Sequence, residues 1–360
     1  MIGLKKICFL IGNLNSSGGT ERVTSLIANK LSEKENYQIL ILSLVDGLEP
    51  FFPLNTDITF FSLYREKISF KKNLFSVIWK IRSFINSQKI DTLIVVDTIS
   101  CVFTIPALFG LKTKHIAWEH FNFKNDNGVS FRNLGRKWAA RYCDYVVTLT
   151  NKDITFWMQS LKKVRAKLIC IPNPNPYQDI MNQPSLTYKI VLTVGRLTYV
   201  KGYDLLLKVW ESVCKEDNEW TLYIVGGGEE EENLKKLASN LNILNRVVFC
   251  GIQSDVTTFY NSSSIFCLTS RNEGLPMVLL EAQSYGLPIV SFDCDTGPSD
   301  IVTHGVNGYL IPMGNLERMA YFLKKLMQEK ETYKSFSEEA IENSKLFHIE
   351  NIIEQWCEII

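Results

Sequence analysis

No run of about 18 consecutive apolar residues occurs in the chain, so the sequence predicts no membrane-spanning helix. The first residues lead directly into an apolar, strand-like run, without the hydrophobic segment and cleavage site of a secretory signal. Apolar residues are nonetheless plentiful, because a hydrophobic content of 46% over 360 residues can fill the cores of two domains. We therefore expect a two-domain globular protein of the cytoplasm.

Cysteine and histidine do not show the spacings of metal or disulfide sites. The nine cysteines are odd in number, form no C-x-x-C pair and stand mostly in apolar runs, as Cys8 and Cys267 do. They are typical of small core residues in a reducing compartment. Only four histidines occur, and neither His115 nor His120 has a second ligand at metal-binding spacing. A D-x-D match at 293–295 is too short to change the expectation that no metal binds.

Neither sign of charge dominates, since 39 Lys+Arg and 38 Asp+Glu give a net charge of +1. Residues 1–172 nevertheless carry 24 basic and 13 acidic side chains, a net of +11, and the remainder carries 15 and 25, a net of −10. This asymmetry suggests that only the first half meets an anionic surface, with evenly solvated charge as the alternative. Nucleic acid is not an expected partner, because the second half is acidic and contains no binding motif.

The dinucleotide fingerprint G-x-G-x-x-G is absent, yet strand-like and helix-like segments alternate throughout the chain. Such alternation predicts doubly wound parallel sheets in an α/β fold. Pro172, Pro174 and Pro176 interrupt the series, because alternating prolines continue neither a strand nor a helix. We predict four parts: a Rossmann-like domain over 1–172, a hinge over 173–184, a second Rossmann-like domain over 185–345, and a helix over 346–360 that packs back on the first domain.

The predicted strands are short apolar runs bounded by polar or glycine-rich turns. Those of the first half are Lys6–Ile11, Ile39–Leu44, Ile58–Phe61, Thr92–Val96, Lys114–Trp118, Tyr145–Leu149 and Leu168–Ile171. Those of the second half are Ile190–Val194, Trp220–Val225, Val247–Cys250, Ile265–Leu268, Pro288–Phe292 and Gly308–Ile311. Ligands bind at the carboxyl ends of strands in such sheets, so the segments that follow strands are the candidates for a site.

Two carboxylates bracket the stretch 269–288, which follows a predicted strand. We expect Glu273 in the loop ahead of a short helix, because Gly274 permits a turn and Pro276 suits a first helical position. Glu281 should then lie within that helix. Carboxylates placed in this way can accept hydrogen bonds from pairs of sugar hydroxyls, and the free N–H groups of the helix start can bind a phosphate. Two solvated glutamates at helix ends are the alternative.

Other strand-end loops carry cations or glycines. Arg196 and Lys201 stand in one of them and together can neutralise a diphosphate, with ordinary surface cations as the alternative. The Gly226–Gly228 run can let a nucleoside approach the backbone closely, and Gly18–Gly19, ahead of a helix opened by Thr20, can do the same for a phosphate or sugar.

His120 stands just past a predicted strand and can hydrogen-bond a substrate hydroxyl, with a purely structural histidine as the alternative.

The stretch from Ser69 to Lys89 combines an apolar helical face with basic and aromatic side chains. The face comprises Leu74, Val77, Ile78, Ile81 and Ile85, the cations are Lys71, Lys72, Lys80, Arg82 and Lys89, and the aromatics are Phe70, Phe75, Trp79 and Phe84. This combination favours attachment to anionic lipid, with a core-packed helix that has a solvated basic side as the alternative. A second basic helical stretch contains Arg132, Arg136, Lys137 and Arg141.

The order and spacing of several motifs resemble those of retaining glycosyltransferases of family 4. The motifs are G-R-L-T-Y-V-K-G at 195–202, V-G-G-G-E at 225–229, S-R-N-E-G-L-P-M-V-L-L-E-A at 270–282, G-G-T-E-R at 18–22, E-H at 119–120 and G-P-S-D-I-V at 297–302. The resemblance covers nearly the whole chain. It implies the GT-B fold, in which two Rossmann-like domains face each other across a cleft.

The resemblance also implies a role for each matching residue. Arg196 and Lys201 would bind the donor diphosphate and stabilise it as it leaves. Glu273 would hold the hydroxyls of the transferred sugar, Glu281 those of the ribose, and His120 would contact the sugar near the reacting carbon. The catalytic set would thus be Arg196, Lys201, Glu273 and His120. The further donor-binding positions would be Gly18, Gly19, Gly195, Gly227, Gly274, Leu275, Pro276, Met277 and Val278.

The implied reaction is retaining transfer of a hexose or N-acetylhexosamine from a nucleotide-diphosphate sugar, with UDP expected and GDP as the alternative. The implied acceptor is a sugar hydroxyl of a polyprenyl-diphosphate-linked oligosaccharide in the assembly of capsule, O-antigen or other surface polysaccharide. No cofactor or metal is implied, and the basic first domain would bind the inner face of the cytoplasmic membrane as a peripheral protein. Alternatives are a soluble acceptor, a sugar-nucleotide epimerase and, less favoured, a non-catalytic nucleotide-sugar-binding protein.

Overall fold

The structure is a computed structural model that describes residues 4–46, 49–125 and 130–360. Residues 1–3, part of the segment in which no secretory signal is expected, lie outside the described residues. The chain forms two compact units, the first comprising Met1–Pro174 with Ile349–Ile360 and the second Asn175–His348. The boundary at 174–175 falls inside the segment 173–184 that the prolines mark in the sequence.

Unit 1 is built on a seven-stranded parallel sheet with the order β3-β2-β1-β4-β5-β6-β7. Its strands are β1 (Lys5–Ile11), β2 (Tyr37–Ser43), β3 (Thr59–Ser62), β4 (Thr92–Val96), β5 (Lys114–Trp118), β6 (Tyr145–Thr148) and β7 (Lys167–Cys170). Its first helices are α1 (Gly19–Ser32), α2 (Leu74–Gln88), α3 (Cys101–Leu108), α4 (Ser130–Tyr142) and α5 (Asn151–Ser160). Every residue of β4 is buried, as its unbroken apolar sequence requires of a central parallel strand.

Unit 2 repeats this architecture with a six-stranded parallel sheet in the order β10-β9-β8-β11-β12-β13. Its strands are β8 (Ile190–Val194), β9 (Thr221–Val225), β10 (Val247–Gly251), β11 (Ile265–Leu268), β12 (Ile289–Asp293) and β13 (Gly308–Pro312). Its helices are α6 (Tyr203–Cys214), α7 (Glu231–Asn240), α8 (Thr257–Asn261), α9 (Met277–Ser284), α10 (Pro298–Ile301), α11 (Leu316–Gln328) and α12 (Lys330–Ser344). In both sheets the strand order reverses beside the first strand of the unit, where doubly wound sheets bind ligands.

The last helix, α13 (Ile349–Ile359), belongs to unit 1 although it follows unit 2 in the chain. Lys114 donates a hydrogen bond to the Ile359 carbonyl at 3.1 Å, and Lys30 of α1 pairs with Glu350 at 3.2 Å. Trp356 is fully buried against the ring of Trp118, with 4.9 Å between the ring centroids. The amphipathic pattern of the C-terminal segment is therefore used to cover one part of unit 1.

The sequence predictions agree closely with these elements. The doubly wound α/β fold with two Rossmann-like units is confirmed, and every predicted strand is present within two residues of its predicted bounds. The helix predicted from Ser69 begins only at Leu74, because the backbone and side-chain N–H groups of Asn73 both bond to the Ser69 carbonyl and form a turn. Among the described helices, none has both the length and the apolar character needed to cross a bilayer.

Candidate functional site

The first group of candidate residues lies in unit 2, where the loops after β8 and β11 emerge side by side because the two strands are paired. Arg196 is exposed in the first loop, and within the described chain no carboxylate lies at ion-pair distance from its guanidinium. Lys201 ends a short 3₁₀ turn in the same loop, and Glu273 stands in the second loop. The fold thus places all three charged side chains at one sheet edge.

Lys201 and Glu273 contact each other directly. The Lys201 Nζ atom donates to Glu273 Oε1 at 2.7 Å, and the two side chains are 29% and 9% exposed. Such a charge-assisted bond fixes the ammonium group at the same edge as the unpaired guanidinium of Arg196. The sequence predicts separate roles for these two side chains, and the structure adds that they form one ion pair.

The loop that holds Glu273 leads into the N-terminus of α9, as predicted. Pro276 is the capping residue and Met277 the first helical one, so the expected first helical position of the proline is wrong by one residue. A proline fits either position because it has no N–H group to leave unsatisfied. Gly297 packs so closely on this turn that an added Cβ would lie 2.8 Å from the Gly274 carbonyl oxygen. The predicted donor residues 274–278 therefore form a well-packed helix start that can present N–H groups to an anion.

Glu281 lies inside α9, as predicted, and is almost fully buried at 3% exposure. Its Oε2 atom accepts a hydrogen bond from the Tyr260 hydroxyl at 2.7 Å. The Tyr260 ring stacks on Tyr285, with 5.2 Å between the centroids. Tyr260 orients the carboxylate, and its role was missed because 21 residues separate the two positions in the sequence.

The glycine run after β9 packs on the loop after β8. The Leu197 N–H group donates to the Gly227 carbonyl at 3.0 Å. A Cβ atom on Gly226 would lie 2.0 Å from the Gly195 carbonyl oxygen, and one on Gly228 would lie 2.4 Å from the Leu197 oxygen. These glycines therefore allow the two loops to pack closely and support the backbone beside Arg196. The sequence suggests the glycine run as a place where a ligand approaches the backbone, and the structure adds a packing role for it.

The second group of candidate residues lies in unit 1, at the carboxyl ends of its strands. Gly18 caps α1 in an extended conformation, and Gly19 is its first residue, one position before the predicted start at Thr20. A Cβ atom on Gly18 would lie 2.3 Å from a carboxylate oxygen of Glu21, so the end of this side chain lies over the helix start. Gly19 is exposed there, and a ligand could reach the start of α1 if the Glu21 side chain moved aside.

His120 follows β5 and is buried, with 8% exposure. Its ring packs against Trp118 in a tilted arrangement, with 4.4 Å between the centroids, and its Nε2 atom has no hydrogen-bond partner among the described residues. Burial lowers the pKa of His120 to about 4, against an opposing effect of Glu119, so the ring is neutral at pH 7. A neutral imidazole with an unused nitrogen can donate to or accept from a sugar hydroxyl.

Glu119 beside it is the centre of a buried ionic network. Arg136 donates from Nε to Glu119 Oε2 at 2.8 Å, and Arg132 donates to Asp97 at 2.8 Å. The Thr98 hydroxyl also donates to Glu119, at 2.5 Å. Arg136 is completely buried and Arg132 is 6% exposed. These two cations of the second basic helical stretch are therefore not available to a basic surface, because they neutralise the carboxylates that follow β4 and β5, which lie far from them in the sequence.

His115 has no second ligand at metal-binding spacing in the sequence, but folding brings two cysteines close to it. Its ligand atoms and those of Cys101 and Cys143 all lie within 4.8 Å of one another, and they form the only group of this kind in the described chain. His115 Nε2 lies 3.0 Å from the Thr104 hydroxyl, and Nδ1 lies 3.5 Å from Cys143 Sγ. Burial lowers the pKa of His115 to about 3 and raises that of the Cys143 thiol. His115 is therefore neutral at pH 7 and both of its ring nitrogens have partners, although the trio contains ligands that a thiophilic metal could use.

Comparison with known proteins is consistent with these features. The family described as "Glycosyl transferases group 1" matches residues 178–343. An uncharacterized glycosyltransferase of Haemophilus influenzae is 41% identical over 99% of this chain and 100% of its own length. The Campylobacter jejuni GalNAc-α-(1→4)-GalNAc-α-(1→3)-diNAcBac-PP-undecaprenol α-1,4-N-acetyl-D-galactosaminyltransferase is 28% identical over 99% of this chain and 98% of its own.

Solved structures show the same architecture. Anabaena HepE in complex with UDP superimposes with a TM-score of 0.82 at 20% identity, covering 98% of both chains. Two doubly wound Rossmann-like units are the architecture of the GT-B fold, and the predicted fold class is confirmed. The chain belongs to the group 1 glycosyltransferases, as the motifs predict.

Proposed function

We propose that this glycosyltransferase transfers a hexose or N-acetylhexosamine from a UDP-sugar, with retention of configuration and without a metal ion. The observation that carries the donor assignment is the Lys201–Glu273 ion pair ahead of the N-terminus of α9, with Arg196 in the same loop as Lys201. Two cations and a helix start offer a diphosphate positive charge, and an adjacent carboxylate can accept sugar hydroxyl groups. The UDP bound to HepE supports the choice of nucleotide.

The proposed chemistry follows from the charge that develops during transfer. The leaving diphosphate gains negative charge, and preorganised cations at Arg196 and Lys201 stabilise it most at that moment. The leaving phosphate oxygen takes the proton of the attacking hydroxyl on the same face of the sugar. Glu273 then has no need to act as a nucleophile, unlike the second carboxylate of a retaining glycosidase. The ion pair with Lys201 instead holds it as a hydrogen-bond acceptor for the sugar.

We further propose a lipid-linked acceptor, a sugar hydroxyl on a polyprenyl-diphosphate oligosaccharide of surface polysaccharide assembly. The name of the Campylobacter jejuni relative, which includes a glycan on PP-undecaprenol, supports this class of acceptor. Such a substrate is anchored in a membrane, and the surface of unit 1 offers a means of reaching it. Phe75 and Trp79, one turn apart on α2, are 85% and 68% exposed, and Lys71 and Lys72 precede them. We propose that this patch binds the inner face of the cytoplasmic membrane.

The donor assignment is tested by binding and transfer assays with UDP-, GDP- and ADP-sugars in EDTA. We expect UDP-sugars to raise the melting temperature, and R196A and K201A to weaken UDP binding at least about tenfold, since each removes a charge-assisted contact. K208A removes an exposed cation from α6 of the same unit and should bind UDP normally. E273A should bind UDP but lose sugar transfer.

Four results would contradict parts of this proposal. If donor binding requires a divalent ion, the proposed metal-independent mechanism is wrong. If the protein prefers GDP-sugars, the proposed nucleotide is wrong. If sugar is transferred equally well to short soluble sugars and to detergent-dispersed lipid-linked glycans, the proposed acceptor is wrong. Interconversion of UDP-sugars without transfer would identify an epimerase instead.

A further inference from the structure

Arg271 connects the two loops that carry the candidate donor residues. Its NH1 and NH2 atoms donate to the two carboxylate oxygens of Asp204 at 2.8 and 2.7 Å. NH1 also donates to the Tyr199 carbonyl at 2.6 Å, and the guanidinium carbon lies 3.9 Å from the centroid of the Tyr199 ring. The backbone N–H of Arg271 donates to the Val200 carbonyl at 2.7 Å. One residue of the loop after β11 therefore holds both ends of the segment that contains Lys201.

The loops also touch directly beside this contact. Gly202 has φ +68°, and a Cβ atom there would lie 2.1 Å from the Thr269 carbonyl oxygen. The Thr269 hydroxyl donates to the Lys201 carbonyl at 3.4 Å. Only glycine allows so close an approach of two backbones at a left-handed conformation. Gly202 and Arg271 are therefore neighbours, since a Cβ atom on Gly202 would lie 3.7 Å from the Arg271 guanidinium, and together they join the loop that carries Lys201 to the loop that carries Glu273.

The Arg271–Asp204 pair has the geometry of a strong, directional contact. Guanidinium and carboxylate meet through two parallel hydrogen bonds, which fix orientation as well as distance. The two side chains are 20% and 35% exposed, so the pair is partly shielded from water. Hydrogen bonding to Arg271 lowers the pKa of Asp204, and the same bonds raise the pKa of Arg271. Both groups therefore stay charged at neutral pH, so the pair keeps its charge-assisted character under those conditions.

We propose that Arg271 and Asp204 are positioning residues of the donor site, which hold the loop 195–202 on the loop 269–276 so that Lys201 and Glu273 keep their relative placement. This inference rests on the proposed function, because it assigns the pair to nucleotide-sugar binding. Neither residue needs to touch the donor. Displacing a binding or catalytic group by about 1 Å can cost about a hundredfold in rate, so a contact that restrains two such groups affects both binding and turnover.

The test uses the full chain with R271K, which keeps the charge but loses the forked geometry, and D204N, which keeps the shape but loses the charge. The matched control is K324Q, because Lys324 and Glu216 form another ion pair between distant segments of unit 2, at 2.6 Å. Hydrogen exchange of residues 195–202 and 269–276, the dissociation constant for UDP, and KM and kcat for the donor are measured at a temperature where all variants are folded. The swap D204R/R271D tests whether opposite charges at the two positions restore the contact.

We expect R271K and D204N to exchange amide hydrogens in both loops at least about tenfold faster and to weaken UDP binding about tenfold, with a higher donor KM. K324Q should change neither quantity, and the charge swap should recover part of the loss. Unchanged exchange in the two loops, or UDP binding as tight as in the wild type, overturns the positioning role alone. A wild-type protein that binds no nucleotide overturns the proposed function and this role together.

Discussion

Arg136 illustrates how a single side chain departs from its sequence interpretation. Its guanidinium donates to Glu119, to the Phe123 carbonyl at 2.7 Å and to the Asn122 carbonyl at 3.1 Å, and none of it is exposed. A buried ion pair adds little net stability compared with apolar residues, but removing one partner leaves an uncompensated charge. Arg136 therefore holds the segment 119–123, which contains His120, in one conformation.

We predict that Arg136→Met lowers the free energy of unfolding by about 3–5 kcal/mol, because the buried Glu119 would lose the cation hydrogen-bonded to its Oε2 atom and keep only the longer contact with Arg132, at 3.6 Å. Lys137→Met is the matched control, since the neighbouring lysine is exposed and should cost less than about 0.5 kcal/mol. Urea denaturation of the three proteins measures both values. Equal stabilities of the two variants would show that Arg136 is solvated in solution. The double variant Glu119→Gln, Arg136→Met should be less destabilised than the sum of the singles.

The sequence identified residue types more reliably than their partners. The motifs place Lys201, Glu273 and Glu281 at the correct strand ends and helix positions, because loop and helix signals are local. Their contacts are not local. Lys201 and Glu273 are separated by 72 residues, and Arg271 and Asp204 by 67. Pairings of this kind depend on which strands become neighbours, and a pattern in one segment carries no information about that.

At the scale of elements, the strands were predictable because buried parallel strands consist of unbroken apolar runs. Helix faces were harder to interpret. The apolar face of α2 packs into unit 1 through Val77, Ile81 and Ile85, so it is not free for a membrane. Two of the predicted cations are also engaged: Lys80 donates to the Leu63 carbonyl and Arg82 to the carbonyls of Ala107 and Phe109.

The residues of α2 that remain available are on its opposite side. Phe75 and Trp79 project there, and Lys71 lies 5.6 Å from the ring centroid of Phe131, which extends the exposed patch onto α4. Two lysines near an anionic surface contribute about 1 kcal/mol each, and exposed aromatic rings suit the interface. The sequence could propose a membrane-binding helix, but only the packing shows which side of it could bind.

We predict that Lys71→Gln with Lys72→Gln reduces flotation with anionic vesicles by about thirtyfold in partition coefficient, from about 2 kcal/mol of lost attraction. Lys162→Gln with Lys163→Gln makes the same charge change at an exposed site after α5 and should float like the wild type. Phe75→Ser with Trp79→Ser should weaken binding at every salt concentration. If the two double lysine substitutions reduce flotation equally, the overall charge of the protein, rather than this patch, causes it to bind the vesicle.

At the scale of the whole molecule, one helix does not follow the order of the chain: α13 comes after unit 2 in the sequence but belongs to unit 1. Residues 1–172 have a net charge of +11, and residues 349–360 add three glutamates and no basic residue, which leaves unit 1 at +8 and unit 2 at −7. The asymmetry seen in the sequence therefore survives folding but is smaller than the linear count indicates. The acidic residues of α13 are partly matched by unit 1, as the Lys30–Glu350 pair shows.

The last helix also reaches the surroundings of a candidate catalytic residue. Trp356 packs edge-on against Trp118, and Trp118 packs against His120 with the two rings tilted at 47°. We predict that Trp356→Ala costs about 3–5 kcal/mol of stability through the cavity it leaves and shifts the NMR signals of the His120 ring. Ile352→Ala empties another fully buried site on the same helix and should destabilise the protein without that shift. Because there are only four histidines, His120→Gln identifies the signal by its loss. The effect of α13 on His120 through the Trp118 ring would be contradicted by either of two results. One is a His120 signal that Trp356→Ala leaves unchanged, and the other is a signal that Trp356→Ala and Ile352→Ala shift equally.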